Sequence, residues 1–118
     1  MLRHMAKSKI HGATVTQTEL HYTGSITLSP ALMQAADLLP DERVQIVNMA
    51  NGARLETYVI EGDEGSDTVC LNGPAARMAA VGDKVHVISY ALYEDSEARV
   101  TRMKTVMVDE HNQPRSEA

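Results

Sequence analysis

Apolar and polar residues alternate along this chain in short runs, and no run keeps a helical period for long. Lys7 to Glu19 sets Ile10, Ala13 and Val15 among several threonines, a β-branched pattern that predicts an extended strand. Thr23-Gly24-Ser25 interrupts it as a turn, and Ser25 to Leu28 resumes as a short strand. Ser29 then suits an N-cap and Pro30 a first helical position, with Ala31 to Leu39 helical and Pro40 ending the run. Val44 to Met49 and Arg54 to Ile60 read as two strands joined at Asn51-Gly52, a strong hairpin signal. Beyond a polar turn at Gly62 to Asp67, Val69 to Asn72 is a short strand. Gly73-Pro74 breaks it, and Ala75 to Ala80 makes one or two helical turns. Gly82-Asp83 turns the chain into a long strand, Lys84 to Tyr93, and Arg99 to Val108 is expected to be another. From Asp109 the chain is polar, and residues 110–118 are expected to form a flexible tail. Many short strands with few helical segments predict a mainly β fold, a small barrel closed so that no edge is exposed.

Composition narrows this picture. A chain of 118 residues suits a single domain, 1–118. It has no Trp, no Phe and four Tyr, so its core lacks the side chains that bury most area, and association with other copies is expected. A formal net charge of -5 argues against non-specific nucleic-acid binding, which depends on neutralising phosphates. Cys70 is the only cysteine, so no internal disulfide forms, which fits a reducing cytoplasm. The segment MLRHMAKSKIHG lacks the apolar run of a signal peptide, and no run is long enough to span a membrane. A cytoplasmic protein without a membrane partner is expected. The five histidines show no metal-ligand spacing with one another or with Cys70, so no metal is expected.

No glycine-rich phosphate loop is visible, and Ile26-Thr27 after Ser25 departs from the nucleophile elbow of hydrolases. In HYTGSITL, His21 to Leu28, the residues by themselves read as a β-turn. A second reading is chemical. The Oγ of a serine lies near the preceding carbonyl carbon, and a strained backbone lowers the barrier to attack on it. Gly24, without a Cβ, tolerates such a backbone. Attack gives an ester; β-elimination frees the Gly24 carboxylate and leaves dehydroalanine, which hydrolyses to a pyruvoyl group and ammonia.

Four separated motifs bear on the choice: KSKIHGATVTQTELHYTGSITL (Lys7 to Leu28), NGARLETYVI (Asn51 to Ile60), LNGPAAR (Leu71 to Arg77) and VGDKVHVISYA (Val81 to Ala91). In order and spacing, from Met1 to Tyr93, the chain resembles the pyruvoyl-dependent aspartate 1-decarboxylases. The resemblance implies a six-stranded double-psi β-barrel with short helices, assembled as a homotetramer with active sites between subunits. It implies self-cleavage between Gly24 and Ser25, then decarboxylation of L-aspartate to β-alanine and CO2 for pantothenate (coenzyme A) biosynthesis. The covalent pyruvoyl cofactor would condense with the substrate amine as a Schiff base and act as the electron sink. A processing accessory protein is among the partners it allows.

Residue by residue, the resemblance implies that Ser25 becomes the pyruvoyl and that Tyr58 donates the proton to the former α-carbon. Arg54 would grip the distal carboxylate, with Lys9 as a second cation. Thr57 and Asn72 would serve processing, Asn72 as the oxyanion donor. Thr57 and the backbone of Gly73, Pro74 and Ala75 would lie close to substrate. His11, Tyr22 and His86 would line the site. Strand alternation puts Arg54, Glu56 and Tyr58 on one face and Thr57 on the other, so either this strand is irregular or the two residues serve different sides of one site. Two positions depart from relatives: Val47 where some have tryptophan, and His86 where some have an aliphatic residue. Two other readings stay open on the residues: a barrel-type DNA-binding regulator, which the acidic charge disfavours, and a barrel that has lost its catalysis.

Overall fold

The computed structural model describes residues 1–115. Nine strands are described: β1 (Leu2–Thr14), β2 (Gln17–Glu19), β3 (Ile26–Leu28), β4 (Arg43–Asn48), β5 (Arg54–Glu61), β6 (Val69–Asn72), β7 (Lys84–Glu94), β8 (Lys104–Val108) and β9 (Pro114–Arg115). Two short α-helices, α1 (Pro30–Ala35) and α2 (Asp95–Ala98), and a 3-10 helix (Gly73–Met78) fill the connections. Among the described residues no helix is long and apolar enough to cross a membrane.

The strands follow the order β2-β6-β3-β5-β4-β7-β1-β8-β9. β1 and β2 are one run of chain interrupted only at Val15-Thr16, so this order closes on itself. Backbone bonds from Val15 N–H to the Asp83 carbonyl and from Thr16 N–H to the Val69 carbonyl, both 2.9 Å, seal the junction. Counting β1–β2 once, with β6, β3, β5, β4 and β7, gives a ring of six strands. Register shifts in β1 at Ala6/Ser8 and Ile10/Ala13 bend it around the ring. β8 and β9 are added outside, β8 parallel to β1 at Ser8–His11.

Alternation places the core. Ile10, Ile26, Leu28, Ile46, Leu71 and Val87 point inward and are almost fully buried. Each such side chain contributes roughly 1.5–3 kcal/mol by leaving water. The packed residues are aliphatic, as a chain without Phe or Trp requires.

Three expectations are corrected. Helix α1 ends at Ala35, short of Leu39. Asp37 adopts φ 55°, its N–H bonds the Gln34 carbonyl (3.2 Å), and Leu38 N–H bonds the Met33 carbonyl (2.8 Å). That paired pattern is a Schellman stop, with Asp in the left-handed position where glycine is usual. Arg99 to Met103 is not strand: the Asp95 carboxylate ties Arg3 (2.6 Å) and Arg99 (2.9 Å) around α2, and β8 begins only at Lys104. The expected tail folds back from Asp109 to Arg115. Asn112, 1% exposed, donates to the carbonyls of Thr14 and Asp67 and accepts from Thr14 N–H, each at 2.8 Å. Residues 116–118 lie outside the described chain.

Candidate active site

Three strands meet at Ser25. Ile26 on β3 pairs in parallel with Val59 and antiparallel with Leu71. One position earlier, this register brings Ser25 beside Tyr58 on β5 and Asn72 at the end of β6. Ser25 is 1% exposed and has φ 95°, outside the regions open to an L-residue without strain. Gly24 before it has φ 137°. The strained conformation is held from two directions: Asn72 N–H donates to the Ser25 carbonyl (2.9 Å), and Asn72 Nδ2 donates to Ser25 Oγ (3.0 Å).

The Asn72 carboxamide is fully used. Its second N–H donates to Thr27 Oγ1 (2.9 Å), and its Oδ1 accepts from Cys70 Sγ (3.2 Å). Asn72 therefore meets the serine oxygen itself. Burial, and after it the charge of Glu19, pushes the Cys70 thiol up from its ordinary pKa, so it keeps its proton. Behind the turn, Gly73 has φ 65°, and a Cβ there would lie 2.8 Å from Gly24 Cα, Gly24 N and the Tyr22 carbonyl. Only glycine lets the two segments approach so closely. In front, the Tyr58 hydroxyl lies 3.8 Å from where a Cβ on Gly24 would stand.

Thr23 to Ser25, Leu55 to Tyr58, Asn72, Pro74, Ala75 and Met78 line one open cleft. β5 is paired residue for residue with β4 from Arg54 to Tyr58, so the strand is regular. Thr57 and Tyr58 are on opposite faces of it, and both line the same cleft, at the place where β3 begins beside β5.

A second group lies elsewhere on this chain. Lys9, His11, His86 and Arg54, with Val47, occupy the outer face of the sheet β1-β7-β4-β5, where Val47 is paired with both His86 and Arg54. Arg54 is exposed and donates to Gln45 Oε1 (3.1 Å). It stands four positions from Tyr58, ~13 Å along the strand. The His11 and His86 rings stack at 4.1 Å between centroids. Gly12 N–H donates to His86 Nδ1 (3.1 Å), which only an unprotonated nitrogen accepts, so the ring proton sits on Nε2. Burial, then the charges of His11 and Lys9, holds the His86 pKa below its ordinary value. Tyr22 is exposed and lines a groove on the other side of Asn72, with Glu19, Thr27 and Glu61.

Sequence reasoning did not single out Thr27 or Cys70. Both were within reach of strand alternation: Thr27 is two positions from Ser25, and Cys70 two positions from Asn72, each on the same strand face.

Comparison with known proteins adds the following. The family model described as Aspartate decarboxylase matches residues 1–115. The chain is 54% identical over 114 residues to the aspartate 1-decarboxylase of Thermoanaerobacter pseudethanolicus, covering 97% of each chain. It is 56% identical over 114 residues to that of Desulfitobacterium hafniense (97% of this chain, 90% of the relative). It is 53% identical over 112 residues to that of Listeria monocytogenes (95% and 88%).

Proposed function

This chain belongs to the aspartate decarboxylase family, and on that footing we propose that it makes its own catalytic group by cleaving the Gly24–Ser25 bond and converting Ser25 to a pyruvoyl cap. It is an aspartate 1-decarboxylase, a carboxy-lyase that converts L-aspartate to β-alanine and carbon dioxide. The pyruvoyl group, once formed, supplies the carbonyl that binds the substrate amine and accepts the electrons left by the departing carboxylate.

The observation that carries the cleavage reading is the state of Ser25: buried, at φ 95°, with Asn72 Nδ2 3.0 Å from its Oγ. An unstrained serine in a surface turn has none of these features. The strain is relieved when the Gly24–Ser25 peptide is lost, and the amide N–H favours the oxygen as it loses its proton. Thr57 faces the same cleft and is assigned to processing. A keto group at position 25 would fit the space Ser25 fills, beside Asn72 and open to the cleft.

In decarboxylation, Tyr58 is the proton donor. Its hydroxyl lies 3.8 Å from where a Cβ on Gly24 would stand, close to the bond to be cleaved, which supports the assignment. Pro74 and Ala75 line the cleft and Gly73 precedes them; Pro74 has no N–H, so backbone donors to the substrate would come from Gly73 and Ala75. Arg54 and Lys9 bind the carboxylates. Both lie on the outer sheet face of their own chain, so they complete the site of a neighbouring subunit. That division supports the homotetramer with shared sites. His11 and His86 accompany these cations across the interface. A cytoplasmic location and a role in pantothenate synthesis complete the reading.

Intact-mass measurement of purified protein tests it. Two fragments are expected, Met1 to Gly24 and a remainder whose position 25 carries a keto cap. Full-length chain alone, after prolonged incubation and with no aspartate decarboxylation, overturns it.

A further inference from the structure

We propose that Cys70 is a positioning residue for self-cleavage: its thiol sets which way the Asn72 carboxamide faces, and so makes Ser25 Oγ a hydrogen-bond acceptor. This rests on reading Gly24–Ser25 as the processed bond. A carboxamide is nearly symmetric in shape, so its orientation is chosen by its partners. On one side stand two hydroxyls, Ser25 Oγ at 3.0 Å and Thr27 Oγ1 at 2.9 Å. A hydroxyl donates or accepts equally well, so this side favours neither orientation. On the other side stands the Cys70 sulfur at 3.2 Å. A thiol donates weakly and accepts poorly, so it prefers the amide oxygen. Cys70 is therefore the one partner among the three that distinguishes the two orientations.

The orientation matters to the nucleophile. With Nδ2 facing Oγ, an N–H favours negative charge on the serine oxygen as its proton leaves. With the amide reversed, the serine proton is tied to Oδ1, and no donor from Asn72 meets the oxygen. Cys70 is 4% exposed and retains its proton, raised by burial and by Glu19, so it stays a donor at neutral pH. It does not join the lining of the cleft.

The experiment follows processing of freshly made precursor by intact mass in wild type, Cys70→Ser and Cys70→Ala, with thermal melts of the three in a Ser25→Ala background. A serine hydroxyl donates or accepts equally well, so it leaves the two orientations about evenly populated and is expected to process about twofold more slowly than wild type. Alanine offers no partner and is expected to slow processing to the same degree, about twofold, whatever its own melting. Cys70→Val, which fills the space without donating, replaces alanine if that variant does not fold. Serine, alanine or valine at the wild-type rate overturns the proposal, as does a slowing that follows side-chain size and melting, larger in alanine than in serine, which would assign the effect to packing of the sulfur. A wild-type chain that never cleaves overturns the reading of Gly24–Ser25 itself, a result separate from either.

Discussion

Replacing Gly73 by alanine probes the contact on which the strained turn rests. The new Cβ would stand 2.8 Å from Gly24 Cα, Gly24 N and the Tyr22 carbonyl, all backbone atoms that no rotamer change can move aside. Gly73 also has φ 65°, where a Cβ costs roughly 1–2 kcal/mol. Gly52 is the internal control: its φ is 74°, and nothing lies within 4 Å of its added Cβ. Both substitutions carry the same conformational cost, partly offset by a stiffer unfolded chain worth roughly 0.4–1 kcal/mol. Only Gly73→Ala adds a packing clash, worth roughly 1–3 kcal/mol. In a Ser25→Ala background that prevents cleavage, Gly73→Ala should melt roughly 3–15 °C below Gly52→Ala for a domain of this size. With Ser25 restored, Gly52→Ala should process normally. Gly73→Ala should process at least about tenfold more slowly, since displacing a reacting group by a fraction of an ångström costs on that order. Equal melting and equal processing of the two variants would refute the argument that Gly73 holds the Gly24 turn by close approach.

Three further outcomes are expected. Asn112→Ala deletes three buried hydrogen bonds that pin the C-terminal hairpin to Thr14 and Asp67 and should cost about 2–4 kcal/mol in denaturant unfolding; a loss under about 1 kcal/mol would show that the hairpin does not brace the barrel. His86, whose pKa is held below the ordinary histidine value by burial and then by His11 and Lys9, is neutral when folded. The stability this gives is complete above the unfolded value of about 6.5 and is lost as pH falls through it toward the folded value. Thermal melts from pH 7.5 to 5 should show that fall, and His86→Asn should flatten it. Arg54→Ala should leave melting nearly unchanged, because its side chain is exposed and bonds only Gln45 Oε1, yet should lower kcat/KM for aspartate by about 10–100-fold through KM; an unchanged KM would remove Arg54 from the carboxylate site.

Much of the fold could be read from local chemistry. The Asn51-Gly52 hairpin, the Ser29 cap with Leu32 N–H on its Oγ (3.2 Å), and the β7 run from Lys84 stand where turn and capping residues put them. The misreadings share a cause. Pro40 predicts a helix running to Leu39, but Asp37 turns left-handed first, held by bonds from Asp37 N–H to the Gln34 carbonyl and from Leu38 N–H to the Met33 carbonyl. Polarity beyond Asp109 predicts fraying, yet the Asn112 side chain finds its partners on Thr14 and Asp67, far away in sequence. Such bonds depend on distant segments meeting, which local composition does not report.

The motifs around Gly24-Ser25, together with Lys9, Arg54, Thr57, Tyr58 and Asn72, were enough to determine the family and hence the reaction. A Gly-Ser pair has no chemistry of its own, so everything else waited on the barrel. Closure of the six strands brings β3 between β5 and β6, and only this sets Tyr58 and Asn72 on either side of Ser25. The same closure holds Ser25 at φ 95° against its preference, because the backbone bond from Asn72 and the glycine at 73 leave the turn no other path. It also divides the predicted site in two: Lys9 and Arg54 stand on the outer sheet face, outside the cleft, and Ser25 and Tyr58 meet where β3 begins beside β5.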